Sequence, residues 1–308
     1  MGADTKIQWC DATLNPWIGC TKVSPGCKNC YAETCTPVRA FRIGWGAGAP
    51  RWRVKSFAAA ARAANRKAGR LGRRLRVFPS LCDWLDMEVA EAWLADFVTT
   101  IAETPELDWL LLTKRPQVWR ARMVAVRHVL ASREHAGAYM LVDAWLAGSA
   151  PANVWIGVSI EDQARAEQRM PELVEIPARV RFLSCEPLIG GLDLNYWLTV
   201  CLVPQVQWVI VGGESGAGAR PCDAAWVESI IEQCAAVRVS CFVKQLGARA
   251  YRDDLNGREA FIGIIGGKLT HRAEDGQRVW AKWKHSKGGD SEEWAEVFRV
   301  REFPGVRS

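Results

Sequence analysis
Three cysteines stand close together near the start of the chain, Cys20, Cys27 and Cys30, in the spacing C-x6-C-x2-C. Three thiolates on one short segment can hold three irons of a [4Fe–4S] cluster and leave the fourth iron open, as a catalytic zinc site keeps one position for substrate. Gly19 and Gly26 each precede one of these cysteines, where the lack of a Cβ lets the backbone turn tightly against an inorganic core. Pro16 and Pro25 stiffen the approach. The same residues have another chemistry open to them. The C-x2-C pair at 27 and 30 is also zinc-like, and Cys10 or Cys35 supplies a fourth ligand for a closed structural site.

Whatever these thiols hold must be positioned by a scaffold, and the sequence shows a repeating one. Short runs rich in Val, Ile and Leu recur at 77–81, 109–113, 154–159, 180–184, 208–211 and 241–243. Helix-like stretches lie between them, such as 87–101 and 226–236, so the pattern is that of βαβ units. A weaker first strand is expected near 9–15 or just ahead of Cys20. Polar residues follow the runs: Ser80 and Asp83, then Thr113 with Lys114 and Arg115, then Ser159 and Glu161, then Ser184 and Glu186, then Gly212, Gly213, Glu214 and Ser215, then Lys244 and Gln245. In a barrel of parallel strands the carboxyl ends converge on one face, and that face carries the active site. Asp83, Glu186, Glu214 and Lys244 are therefore the candidate catalytic residues. The segment 134–152 reads as an insertion rich in Ala and Gly, and 250–308 loses the βα rhythm. One domain over 1–249 is expected, with 250–308 as an extension capping it.

The chain has 308 residues, 49% of them hydrophobic, and can bury a large core. Its eleven cysteines are odd in number in a long chain without a basic-then-apolar leader or an eighteen-residue apolar run, so reduced thiols in a soluble, cytoplasmic protein are expected. Cys82, Cys185, Cys201, Cys234 and Cys241 sit in apolar surroundings and read as packing residues. His271 and His285 are too isolated to make a site. The net charge of +6 conceals an asymmetry. Between Thr34 and Cys82 there is no Asp or Glu, while Arg39, Arg42, Arg51, Arg53, Lys55, Arg62, Arg66, Lys67, Arg70, Arg73, Arg74 and Arg76 all fall there. With Phe41, Trp45, Trp52 and Phe57 interleaved, this block suits a nucleic-acid backbone with bases stacked beside it. A solvated helix at 57–76 explains part of it equally well.

Taken in order, several blocks resemble a known family. They are Trp9-Cys10-Asp11-Ala12-Thr13, Asn15-Pro16-Trp17-Ile18-Gly19-Cys20-Thr21-Lys22-Val23-Ser24-Pro25-Gly26-Cys27, Cys30-Tyr31-Ala32-Glu33, Leu112-Thr113-Lys114-Arg115-Pro116, Asn153-Val154-Trp155-Ile156-Gly157-Val158-Ser159-Ile160-Glu161-Asp162-Gln163, Glu186-Pro187-Leu188, Val211-Gly212-Gly213-Glu214-Ser215-Gly216 and Lys244-Gln245. This series is similar to the phage- and prophage-associated three-Cys-motif proteins of the radical S-adenosylmethionine type. The resemblance implies an α/β fold, a partial (β/α)6 TIM-like barrel with an N-terminal cluster loop and a C-terminal extension. It also implies a [4Fe–4S] cluster on Cys20, Cys27 and Cys30, with S-adenosyl-L-methionine (SAM) at the open iron and an external electron donor. Reductive cleavage of SAM would give a 5′-deoxyadenosyl radical that removes hydrogen from an unactivated carbon. By the same resemblance Ser159 and Glu161 bind the ribose or methionine end of SAM, and Lys114 or Arg115 its carboxylate. Gly212 and Gly213 belong to a glycine-glycine-acid element for its amino group, Glu186 and Glu214 take its ammonium or a substrate hydroxyl, and Tyr31 lies beside the cofactor.

The chain departs from the common pattern in two places. Most radical SAM enzymes use C-x3-C-x2-C with an aromatic residue before the last cysteine, whereas here Asn29 holds that position and Tyr31 follows. The Gly-Gly-Glu element lies on a late strand. The phage-type resemblance and the basic block together point to a nucleic-acid base as substrate, most simply in DNA hypermodification. Other substrates (tRNA, a peptide, damaged thymine) and a zinc-stabilised nucleic-acid-binding protein are the alternatives.

Overall fold
The computed structural model describes residues 5–133, 135–199, 205–216, 218–253, 271–272, 278–281, 283 and 288–305. Cys201, His285 and much of the expected extension lie outside the described residues. The strands are β1 (Ala12–Thr13), β2 (Trp17–Ile18), β3 (Trp52–Arg53), β4 (Leu75–Phe78), β5 (Leu107–Thr113), β6 (Val154–Ser159), β7 (Val180–Cys185), β8 (Trp208–Gly212), β9 (Cys222–Asp223), β10 (Ser240–Gln245), β11 (Ala250–Asp253), β12 (His271–Arg272) and β13 (Arg278–Trp280). The helices are α1 (Tyr31–Thr34), α2 (Thr36–Ala40), α3 (Phe57–Leu71), α4 (Glu91–Ala102), α5 (Trp119–Ala131), α6 (Ala136–Leu146), α7 (Gln163–Glu175), α8 (Asn195–Thr199) and α9 (Ala224–Ala236). The protein is thus of mixed α/β class, and its seven-stranded sheet runs in the order β1-β4-β5-β6-β7-β8-β10. Each apolar run read in the sequence overlaps one of these strands, the first of them only at Val77 and Phe78. No helix among the described residues is long and apolar enough to cross a membrane.

Two compact units divide the chain. The first comprises Met1–Ser24, Ala32–Val158 and Arg169–Arg181. Its strands pair in parallel, with Ala12 opposite Val77, Leu75 opposite Leu107 and Trp109 opposite Val154. Strand β5 is almost wholly buried, as expected of a parallel strand covered on both faces. Helix α3 turns Phe57, Ala61 and Ala68 inward, and Phe57 packs on Phe97 of α4 and on Trp109. Helix α3 stops at Gly72, whose φ of 63° makes a left-handed cap that Cβ-bearing residues adopt at a cost. The segment expected as an insertion carries α6, which buries Val142 and Trp145, the latter stacked on Trp84 at 6.1 Å and 2°.

The second unit comprises Pro25–Tyr31, Ser159–Gln168 and Phe182–Ser308. In it β8 pairs with β7 and with β10, all parallel, and α9 begins at an Asp223 side chain that accepts from the Ala225 amide. A smaller sheet, ordered β12-β13-β11-β9, adds antiparallel pairs between β13 and both β11 and β12. Trp208, Phe242 and Phe303 cluster at one end of β8 and β10, and Phe242 forms an isolated bridge with Arg301.

Candidate functional site
In the first unit, Cys20 follows β2 through Gly19, whose φ is 121°. A Cβ on Gly19 would stand 2.9 Å from Arg51 Cδ, so both backbone angle and space call for glycine. The Cys20 thiol lies 3.8 and 3.9 Å from the two terminal nitrogens of Arg115. That guanidinium also donates to Asp83 at 2.6 Å and to the carbonyl of Thr21. Asp83 is fully engaged: it accepts from Thr113 Oγ1 at 2.7 Å, from the Lys114 amide at 3.0 Å and from the Leu85 amide at 3.0 Å. A second ion pair lies behind the first. Arg51 and Asp86, with side chains only 2% and 1% exposed, meet at 2.7 Å, and Asp86 accepts from the Thr21 amide at 3.2 Å.

Cys20 is therefore held by a buried network of alternating charge, Arg51–Asp86 and Arg115–Asp83, that pins the next residue, Thr21, from both sides. Burial and then Asp83 push the Cys20 thiol up to about 12, against the pull of Arg115. Burial opposes the Arg115 charge, but Asp83, Cys20 and Asp86 more than offset it and hold its pKa above the usual value. An Arg beside a cysteine sulfur supplies N–H donors of the kind that stabilise thiolate bound to iron.

In the second unit, Cys27 ends a 3-10 turn, Pro25–Cys27, and Cys30 directly precedes α1. The turn rests on Glu161, two residues beyond β6. A Cβ on Gly26 would come within 2.3 Å of Glu161 Cγ and 2.5 Å of its Oε1, and Glu161 is fully buried. Asn29, between the two cysteines, donates to Glu214 Oε2 at 3.0 Å and to the Gly218 carbonyl at 2.8 Å. Arg220 closes the arrangement. It donates to both oxygens of Glu214, at 3.0 and 2.7 Å, and to the Pro25 carbonyl at 2.9 Å. Burial alone would raise the Glu214 pKa, but hydrogen bonds from Arg220 and Asn29 hold the carboxyl below its ordinary range.

A third group in this unit is Tyr31, Glu186 and Lys244. Lys244 Nζ lies 3.0 Å from Glu186 Oε1 and 5.9 Å from the centre of the Tyr31 ring. Glu186 Oε1 is buried, and the Lys244 ammonium is the charge set against it. Gly212 and Gly213 make room here: a Cβ on Gly212 would stand 2.7 Å from Glu186 Oε1, and one on Gly213 would stand 2.4 Å from the Leu246 carbonyl. Ser159 is buried at the end of β6, and the next amide, of Ile160, donates to the Ser184 carbonyl at 3.0 Å.

The structure thus gathers the sequence candidates into sets. Asp83 and Arg115 join Cys20, with Lys114 contributing its amide, and Glu161 and Glu214 join the Cys27–Cys30 turn. Tyr31, Glu186 and Lys244 form the third set. Asp83, Arg115 and Glu214 are fully occupied in holding cysteine-bearing segments, so their chemistry here is positioning. Sequence reasoning missed Arg220, Asn29, Asp86 and Thr21. Only the acid three residues after Asp83 and the arginine six residues after Glu214 offered a signal, and neither spacing has a regular element behind it. Cys10, Cys185, Cys234 and Cys241 are buried, and Cys35 donates to the Ala32 carbonyl at 3.1 Å. Among the described residues no group of three His, Cys, Asp or Glu side chains is set to hold a metal ion. Cys20, Cys27 and Cys30 are free thiols, and Arg115 lies against the sulfur of Cys20.

Gly26→Ala tests the seat of the turn. Its methyl group has no space unless Glu161 or the backbone moves, so a loss of about 1–3 kcal/mol in urea unfolding is expected. An unchanged midpoint would show that the turn is not seated on Glu161.

A family model described as a protein of unknown function (DUF5131) matches residues 4–293. The chain therefore belongs to the DUF5131 family. No curated protein and no solved structure matches it.

Proposed function
We propose that this DUF5131 protein is a radical S-adenosylmethionine enzyme of partial-barrel type that modifies a nucleic-acid base in the cytoplasm. The observation that carries the reading is the seating of the Cys27–Cys30 turn on strand-end carboxylates. Gly26 rests on Glu161 beyond β6, and Asn29 is bonded to Glu214 beyond β8. Parallel strands deliver their functional groups at these ends. A thiol pair anchored there by two acids from separate strands suits an active centre better than a remote structural clip. The ordered residue blocks from Trp9 to Gln245 support the same reading.

In this proposal Cys20, Cys27 and Cys30 hold the [4Fe–4S] cluster, grouped by their spacing in the chain. When bound, the cluster and SAM supply one-electron cleavage chemistry, with the electron coming from an external donor. The chain's own residues position and shield. Arg115 donates to the Cys20 sulfur and ties Thr21 to Asp83. Arg220 and Asn29 fix the carboxylate of Glu214 and through it the turn. Lys244 offers an ammonium above Tyr31 for a carboxylate or phosphate, and Glu186, ion-paired with it at 3.0 Å, offers a carboxylate for a hydroxyl or ammonium of the cofactor or substrate. Lys114, Ser159 and Glu161 remain candidates for the ribose and methionine ends, and the Gly212-Gly213 pair for its amino group. Arg115, already committed to Asp83, Thr21 and Cys20, is better placed as a second layer behind the cluster than as the partner of the SAM carboxylate.

The test is made on protein purified and reconstituted without oxygen. Iron, sulfide and zinc are measured, then dithionite and SAM are added and 5′-deoxyadenosine is quantified. A brown protein with about four irons per chain that forms 5′-deoxyadenosine is expected. A colourless protein with one tightly held zinc would overturn the proposal.

A further inference from the structure
The basic segment 34–82 divides into charges that are spent and charges that are not. Arg51 pairs with Asp86, Arg53 with Asp96, Arg62 with Glu103, Arg73 and Arg76 with Asp11, and Arg74 with Asp108. These arginines serve the fold of the first unit. Arg39, Arg42 and Lys55 are exposed and have no ion-pair partner among the described residues. The aromatic residues divide in the same way. Phe57 is core, whereas Phe41 and Trp52 are 64% and 50% exposed and stack on each other, with centroids 6.0 Å apart and planes 18° from parallel.

Two exposed aromatic rings held face to face in water are unusual, since each has apolar area to hide. Here the flanking residues are cationic. Phe41 lies between Arg39 and Arg42, at the carboxyl end of α2, and its amide donates to the Pro37 carbonyl at 3.0 Å. Arg42 adopts a left-handed backbone, φ 51°, a conformation that a long side chain takes at a cost. Trp52 projects from the short β2–β3 ribbon, where it pairs with Ile18, two residues before Cys20. The loop between Phe41 and Trp52 is fastened onto the Cys20 segment. The Gly46 amide donates to the Cys20 carbonyl at 3.1 Å, Gly48 to Glu88 at 2.8 Å and Arg51 to the Gly46 carbonyl at 3.0 Å.

We infer that the Phe41–Trp52 stack, with Arg39, Arg42 and Lys55, is a binding platform for single-stranded nucleic acid that brings an unpaired base to the Cys20 side of the first unit. An exposed ring face takes the face of an unstacked base, and cations beside it take the flanking phosphates. A duplex keeps its base faces covered and offers such a platform only phosphates. The inference rests on the nucleic-acid part of the proposed function and names where that partner docks. It requires neither cluster nor SAM, so its success or failure is read independently of radical chemistry.

The experiment measures fluorescence polarisation of labelled oligothymidine, oligouridine and a DNA duplex with the full-length protein, over a series of salt concentrations. The parent is expected to bind one or both single strands more tightly than the duplex, the ratio of the two telling DNA from RNA. Phe41→Ala/Trp52→Ala is expected to weaken single-strand binding about tenfold or more. Arg39→Gln/Arg42→Gln is expected to weaken it and to flatten its salt dependence, by about 0.7 in slope for each phosphate no longer neutralised. Arg66→Gln/Arg70→Gln, on the outer face of α3, serves as the control for diffuse charge. Equal loss in that control with none in the aromatic variant would overturn the platform. So would tighter binding of the duplex. A concentration-dependent dimer abolished by the aromatic variant, with no oligonucleotide bound, would assign the stack to a second copy of the chain and equally overturn the inference. Circular dichroism and urea unfolding of each variant separate lost binding from lost fold.

Discussion

Cys27→Ala is expected to fold, to bind single-stranded nucleic acid as the parent does, and to hold no [4Fe–4S] cluster. The fold survives because the contacts that seat the turn are made by its neighbours. Gly26 lies against Glu161, Asn29 donates to Glu214, and Arg220 donates to the Pro25 carbonyl. Cys27 itself is buried at the end of a 3-10 turn, and exchanging its thiol for a methyl group removes little volume, at a cost of about 1 kcal/mol. On the proposed function the cluster is expected to be lost, because two cysteine ligands would lack the anchoring of three. Iron after reconstitution should fall from about four per chain to well under one. 5′-Deoxyadenosine should fall more than about a hundredfold, beyond the usual effect of losing an outer partner of a metal ligand. Cys35→Ala serves as the comparison. Its thiol donates to the Ala32 carbonyl of the preceding helix, so iron should be unchanged. Iron retained in Cys27→Ala would overturn the cluster assignment, and a tightly held zinc lost from both Cys27→Ala and Cys35→Ala would put a closed zinc site in its place.

Arg115→Met is expected to be among the most destabilising single changes in the first unit, by about 3–5 kcal/mol at neutral pH. The Arg115 and Asp83 side chains are 7% and 8% exposed and meet at 2.6 Å, and Asp86 lies 3.9 Å from the same guanidinium. Removing the cation leaves two carboxylates buried near each other with one arginine, Arg51, to serve both. It also frees the Thr21 carbonyl, and with it the segment that carries Cys20. Arg115→Lys should recover only part of the loss, since one ammonium restores the charge but not the planar fork that reaches Asp83, Thr21 and Cys20 together. Adding Asp83→Asn to Arg115→Met should cost less than the sum of the two single changes, because the pair is coupled. Urea midpoints of the four proteins decide the matter. A loss below about 1 kcal/mol in Arg115→Met would place the network at a wet surface and remove its positioning role.

How much of this was legible in the sequence varies with the range of the interaction. The strands were readable because continuous Val, Ile and Leu runs are what burial on two faces requires. Their edges were less so. The first run, read as 77–81, is a strand over Leu75–Phe78, which ends as Pro79 arrives without an amide to donate. The stretch 134–152 read as an insertion because Ala and Gly dilute its pattern, yet α6 buries Trp145 against Trp84 and Trp119. That partnership joins residues far apart in the chain, and local periodicity carries no trace of it. The solvated-helix reading of 57–76 holds for the outer face of α3, where Arg66 and Arg70 stand opposite Ala61 and Ala68.

Readable from residues alone were the order of the main strands, their parallel character, the cysteines in metal-ligand spacing and the position of the basic block. These follow from local composition and spacing, which survive without three-dimensional information. What each charge is for emerges in three dimensions. Arg115, Asp83 and Glu214 read in the sequence as free chemical groups at strand ends, and the fold turns them into clamps on Cys20 and on the Cys27–Cys30 turn. Chemically equivalent arginines in one block separate into those spent on Asp11, Asp86, Asp96, Glu103 and Asp108 and those left exposed beside Phe41 and Trp52. The reason is physical: a counter-charge is supplied by whichever strand or helix folds against the arginine, at no fixed distance along the chain, and within the block only at the buried Arg51–Asp86 pair does desolvation demand it.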